Sequence, residues 1–203
     1  DSSFFYPLNN QERVKKRISL EFSNEDIIIG WVGRIAANMQ VLNTVKLLEM
    51  LNNRRSKTFK LLLVGSGPWI DSLKDEIRER GLSSECIFLG WRPHEEINDY
   101  INIMDFVPLL EADPWGGCIL RESISAGRIA ISVNGKSGTQ RDFMDGDHAF
   151  LVSPEEYLSD TADLILELIE DKNRCEKVSR EARLYAENHM TFEEQSERVI
   201  KSI

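Results

Sequence analysis

The chain has 203 residues, 41% of them hydrophobic. That is enough for one substantial core, but no run approaches the roughly 20 apolar residues that span a bilayer. Its net charge of -9 excludes the broad basic footprint expected of a nucleic-acid-binding protein. Three well-separated cysteines (Cys86, Cys118, Cys175) lack a CxxC pair, and the histidines (His94, His148, His189) lack ligand spacing. Both features point to a reduced, cytoplasmic chain with no metal centre.

In chain order, residues 1–10 read as an extended linker and Gln11 to Ser19 as a short basic helix. The first residue is Asp1 rather than Met, as in a piece of a longer protein. Asp26 to Gly33 is an apolar strand ending in glycine. It is followed by a helix from Val41 to Arg54, with Val41, Val45, Leu48 and Leu51 at helical spacing. Phe59 to Gly65 is a second strand. Trp69 to Arg80 is a helix that Gly81 terminates, because glycine takes a left-handed C-terminal conformation at little cost. Strands over Cys86 to Gly90, Phe106 to Leu110, Ile129 to Val133 and Phe150 to Val152 alternate with helices over His94 to Met104 and Ile119 to Ala126. A helix over Glu155 to Glu170 and two more reaching Ile203 close the chain.

Several strands are continuously apolar rather than alternating, as strands buried on both faces are. With helices between them, they specify βαβ units. The expected fold is α/β: a Rossmann-like, doubly wound parallel sheet of about six strands, with helices on both faces and a helical C-terminus. One domain covers 1–203, of which 1–25 are linker and short helix.

In such sheets ligands bind beyond the carboxyl ends of the strands. Gly33-Arg34 follows the first strand; a guanidinium there suits a phosphate, or caps a helix. Gly65-Ser66-Gly67-Pro68 follows the second and reads as a tight turn. Trp91-Arg92 follows the third and either flanks a nucleobase or belongs to the core. Asp113-Pro114-Trp115-Gly116-Gly117 follows the fourth and feeds the helix beginning at Ile119, whose first turn carries Glu122. Backbone N–H groups at such a helix start hold a pyrophosphate, and a carboxylate beside them accepts hydrogen bonds from a ribose diol. Without a ligand, Glu122 would stabilise the helix dipole by a few tenths of a kcal/mol. Cys118 lies beside the turn as a lesser ligand contact.

The motifs Gly33-Arg34, Gly65-Ser66-Gly67-Pro68, Gly90-Trp91, Pro108 with the turn to Glu122, Gly127, Gly138 and Asp145-Gly146, in that order, resemble the C-terminal half of group 1 glycosyltransferases. These are retaining enzymes of the GT-B fold, with two Rossmann-like domains across a cleft. The resemblance implies that Arg34 contacts the donor diphosphate and Glu122, the second glutamate of an E-x7-E motif, the ribose. It gives Arg34 and Glu122 catalytic roles. Gly33 is part of the donor site, Gly116, Gly117, Cys118 and Ile119 approach diphosphate and sugar through their backbone, and Trp91 and Arg92 flank the base. The family's phosphate lysine would fall at Met39 or Gln40 and its first glutamate at Pro114; Asp113, one residue earlier, is the donor-contacting acid that would take its place if the turn carries an extra residue, with Glu111 as a further candidate. The implied ligand is a nucleoside-diphosphate sugar, with no cofactor and no metal. An N-terminal acceptor-binding domain would lie outside this chain, and any membrane contact would come through that half. The fragment alone is expected to be inactive. The alternatives are half of a nucleotide-sugar epimerase, and a non-catalytic module that binds a sugar nucleotide or a protein.

Overall fold

The computed structural model describes residues 2–37, 41–55, 58–110, 117–134 and 145–191. Its strands are β1 (Ile27–Val32), β2 (Phe59–Val64), β3 (Cys86–Gly90), β4 (Phe106–Leu109), β5 (Ile129–Val133) and β6 (Phe150–Val152). The helices are α1 (Asn10–Ser19), α2 (Val41–Arg54), α3 (Ile70–Glu79), α4 (His94–Ile103), α5 (Gly117–Ser125), α6 (Tyr157–Glu170) and α7 (Lys172–His189). The six strands form one sheet in the order β3-β2-β1-β4-β5-β6, and every pair is parallel. From β1 the chain winds outward through β2 to β3, then crosses to β4 on the other side. Strand order therefore reverses between β1 and β4.

The continuous apolar strands are explained by burial on both faces. Ile29, Trp31, Leu61 and Leu63 face one layer of the core, built with α2, α3 and α6. Ile28, Leu62 and Val64 face the other, packed against Ile97, Ile101 and Ile103 of α4. Neighbouring residues of β2 from Leu61 to Val64 thus serve opposite layers, so none of those four positions is free to be polar. A third cluster joins Leu120 and Ile124 of α5 to Ala182 and Ala186 of α7. The alanines allow the two helices to approach closely.

The N-terminal segment is more than a linker. Phe5 is only 3% exposed. Asn102 of α4 accepts from Leu8 N at 2.8 Å and donates to the Tyr6 carbonyl at 2.9 Å. Arg183 of α7 donates to the carbonyls of Ser2, Phe5 and Ser125 at 3.0, 2.8 and 2.7 Å. Asn9 and Glu12 then start α1 with a reciprocal capping box. Leucine at position 102 would match the amide's size but leave two strap groups without partners. Such groups cost about 1–3 kcal/mol each when kept from water. Asn102→Leu should therefore lower the urea midpoint by an amount equivalent to about 2–4 kcal/mol.

Most element boundaries fall within one or two residues of the sequence reading, and one of the shifts bears on the site. α5 begins at Gly117 rather than Ile119, so Glu122 is its sixth residue and lies in the second turn. The favourable dipole effect of a first-turn carboxylate is correspondingly weakened. Of the two helices expected after α6, α7 is present; the other falls in 192–203, outside the described residues.

Candidate functional site

The carboxyl edge of the sheet holds a cleft of about 480 Å³ above β1, β2 and β3, lined by Gly33, Arg34, Gly65, Ser66, Trp91 and Arg92 among others. The backbone here is drawn together tightly. Ile35 N donates to the Ser66 carbonyl at 3.0 Å, Trp69 N to the Ile35 carbonyl at 3.2 Å, and Gly65 N to the Gly90 carbonyl at 2.8 Å. A Cβ at Gly65 would lie 1.9 Å from the Gly33 carbonyl oxygen, and one at Gly67 would lie 2.1 Å from that of Ile35. The Gly-Ser-Gly turn is therefore more than punctuation. Its missing side chains let the loops after β1 and β2 touch, and that contact forms the cleft floor.

Arg34 is exposed and makes no hydrogen bond or ion pair with any described residue. The capping role is thus ruled out among these residues, and a free guanidinium stands at the cleft. Trp91 is 69% exposed, so the core alternative fails as well. A tryptophan held that far into water presents a bare aromatic face. Arg92 is half-buried, its Cζ lying 5.9 Å from the centre of the Tyr100 ring. Its buried Nε has no hydrogen-bond partner among the described residues.

Glu122 lies on α5, outside the lining of this cleft, with its side chain 21% exposed. Burial pushes its carboxyl above the usual glutamate range, and the neighbouring His94 opposes that shift in part. His94 Nε2 stands 3.8 Å from Glu122 Oε1. The imidazole is itself stacked on Phe4, with centroids 4.8 Å apart, and meets the edge of Phe5. His94 opens α4 two residues after Arg92, so it ties the α5 carboxylate to the segment that forms the cleft's far wall. The sequence reading passed over His94, since an exposed histidine at a helix start carries no local sign of a partner 28 positions away.

Cys118 is exposed at the start of α5, directly after Gly117. The Ile119 side chain is partly buried and packs against two of the core clusters. Asp113, Pro114 and Gly116, like Met39 and Gln40, lie outside the described residues. No group of three or more potential metal ligands occurs among the described residues, and no described helix is long and apolar enough to cross a membrane. A second cavity, of about 510 Å³, lies at the opposite, amino edge of the sheet. Ligands of open parallel sheets bind at the carboxyl edge, where the variable loops converge, so the first cleft is the candidate active site.

A six-stranded parallel sheet whose order reverses between β1 and β4, with helices on both faces, defines a Rossmann-like class of α/β domain. Residues 12–185 match the family of glycosyl transferases group 1, and the chain belongs to that family. It is 32% identical over 94 residues to a 2-deoxystreptamine glucosyltransferase of Streptomyces kanamyceticus; the match covers 46% of this chain and 24% of that protein. Anabaena HepE, in complex with UDP and glucose, has the same fold, with a TM-score of 0.83 at 20% identity over all of this chain and 55% of its own. So does the C-terminal domain of the Francisella tularensis group 1 glycosyl transferase LpcC, with a TM-score of 0.80 at 18% identity over 95% of this chain and 98% of that domain. The fold is thus the Rossmann-like domain found as the C-terminal half of GT-B glycosyltransferases.

Proposed function

We propose that this domain binds the donor of a retaining glycosyltransferase, which moves a sugar from a nucleoside diphosphate to an acceptor. The observation that carries the reading is the cleft over β1–β3, where an unpaired Arg34 and a bare Trp91 face the same space. Arg34 grips the diphosphate, which a guanidinium does with two parallel hydrogen bonds. The amino end of α5 adds its dipole. As the sugar departs, negative charge grows on the diphosphate, and these fixed groups stabilise it without rearranging. The reading thus assigns the charge balance to protein groups rather than to a metal. Glu122 accepts from the ribose hydroxyls, and Trp91 packs on the base with Arg92 beside it. Gly116 and Asp113 belong to the same proposed site on the strength of their sequence positions.

The chain covers 55% of HepE and nearly all of the isolated Francisella domain. That supports a two-domain enzyme in which a separate half holds the acceptor, so turnover is not expected of this chain by itself. The uridine nucleotide present in HepE makes UDP the first ligand to try. Titration calorimetry with UDP, ADP and GDP should give saturable binding, strongest for one base. Removing an aromatic platform costs about 1–3 kcal/mol per stacked base. Trp91→Ala should accordingly weaken the preferred nucleotide by about 5- to 100-fold and narrow the difference between bases. Equal binding of all three nucleotides before and after the substitution would remove Trp91 from the base site.

A further inference from the structure

The cavity at the amino edge of the sheet has no part in the donor site, and its floor carries an excess of positive charge. Arg13 and Arg17 reach it from α1, and Arg128 from the turn before β5. All three are half-buried. A single carboxylate, Asp105, lies among them. It accepts from Arg17 Nη1 at 3.2 and 3.3 Å and from Ile28 N at 2.8 Å, and stands 3.9 Å from Arg13 Nη2. Arg17 also donates to the Asp26 carbonyl, and Arg13 Nε to the Asn102 carbonyl at 2.8 Å. Asp105 is therefore already shared between two guanidiniums and a backbone amide.

Arg128 is the one left over. Its Nε donates to the Ala126 carbonyl at 3.3 Å, and no carboxylate among the described residues lies within ion-pair distance of it. Burial first, and then the nearby Arg13, press its guanidinium down to about 10, and Asp105 opposes that shift only in part. The other acids of the lining, Asp26, Glu25 and Glu176, form no ion pair with Arg128 among the described residues. Asp26 accepts from Ser23 N at 2.7 Å, while Glu25 and Glu176 stand exposed at the rim. The rim also carries Lys172 and Arg55, the latter paired with Glu170 at 2.6 Å. A half-buried cation whose nearest carboxylate is already shared by two other guanidiniums is only partly compensated, and planar guanidiniums are suited to the oxygens of a phosphate.

We propose that this amino-edge cavity, floored by Arg13, Arg17 and Arg128 around Asp105, binds a phosphate group, either free or as a sugar monoester. The site lies across the sheet from the donor cleft and shares no lining residue with it. The test is calorimetry on the 203-residue chain with inorganic phosphate, glucose 6-phosphate and glucose, in the parent, Arg128→Gln, Lys172→Glu and Arg34→Ala forms. Saturable binding of phosphate, the monoester or both, with none of glucose, is expected in the parent. Whichever phosphate-bearing ligand binds more tightly identifies the source. Arg128→Gln should raise its dissociation constant at least tenfold, Lys172→Glu about threefold, and Arg34→Ala should leave it unchanged. Lys172 is exposed, so its reversal reads the site even if Arg128→Gln fails to fold. Absence of saturable binding in the parent, or binding lost in Arg34→Ala but kept in Lys172→Glu, overturns the proposal.

Discussion

Replacing Glu122 by glutamine should weaken nucleotide-sugar binding by about 10- to 100-fold, since hydrogen bonds to a charged partner contribute about 1.5–3 kcal/mol. Arg34→Ala should do at least as much, because it removes a bidentate grip on the diphosphate. The two substitutions should differ in pH dependence. Burial holds the Glu122 carboxyl above its ordinary range, while the ribose site needs it ionised. Donor affinity in the parent should therefore fall, as pH is lowered, at a pH above the ordinary glutamate value of about 4.3. A nucleotide sugar, whose diphosphate is a diester, has no ionisation near neutrality to confuse this. Glu122→Gln should bind weakly with a flat profile, whereas Arg34→Ala should bind weakly and keep the slope. Stability should move the other way. A carboxyl raised in the folded state takes up protons there more readily than in the unfolded chain, so stability falls as pH rises through the raised value. At neutral pH the parent bears that cost and the glutamine variant does not. Glu122→Gln should then melt no lower than the parent. Calorimetry and thermal melts on the same samples decide it: intact donor affinity in the variant removes Glu122 from the site, and a lowered melting temperature makes its role structural.

Legibility from sequence followed the range of the interactions. All six strands could be placed because each is a local apolar run, and its burial on both faces leaves a local trace in composition. The position of Gly33 and Arg34 at the carboxyl edge was legible because a strand end followed by glycine and a cation is also a local pattern. The start of α5 was misplaced because Gly116-Gly117 reads as a turn, whereas Gly117 is already helical. That shift of two residues moves Glu122 out of the first turn, and the simple dipole explanation weakens with it. What escaped notice depends on distant contacts. The strap of residues 2–9 is held by Asn102, 94 positions from Leu8. The pairing of His94 with Glu122 joins two helices, and neither sequence neighbourhood announces the other. Trp91 is the converse case. Tryptophan is usually well buried, and only the structure shows it 69% exposed.

Gly65→Ala should be among the most destabilising single substitutions available in the domain, and Gly81→Ala supplies the comparison, in a milder left-handed conformation with open space around it. Both glycines have positive φ, +140° at Gly65 and +69° at Gly81. Both substitutions therefore impose backbone strain, of order 1–3 kcal/mol where the conformation is sparsely populated. They differ in what the new Cβ meets. At Gly81 nothing lies within 4 Å, while at Gly65 the Gly33 carbonyl oxygen is 1.9 Å away and its carbon 2.9 Å. That carbonyl belongs to backbone, fixed by the Gly33 N–H bond to Val64 at 2.9 Å, so no rotamer change relieves the clash. Overpacking adds about 1–3 kcal/mol or more. Gly65→Ala should cost about 3–5 kcal/mol in urea unfolding and Gly81→Ala only about 1 kcal/mol. Because the relief available to Gly65→Ala is to push the β1 and β2 loops apart, its folded fraction should also lose nucleotide affinity through displacement of Arg34. Gly81, beyond the far end of α3, should leave affinity unchanged. Equal stability losses in the two variants would mean that conformation alone, and not the closeness of the loops, requires glycine at the cleft floor.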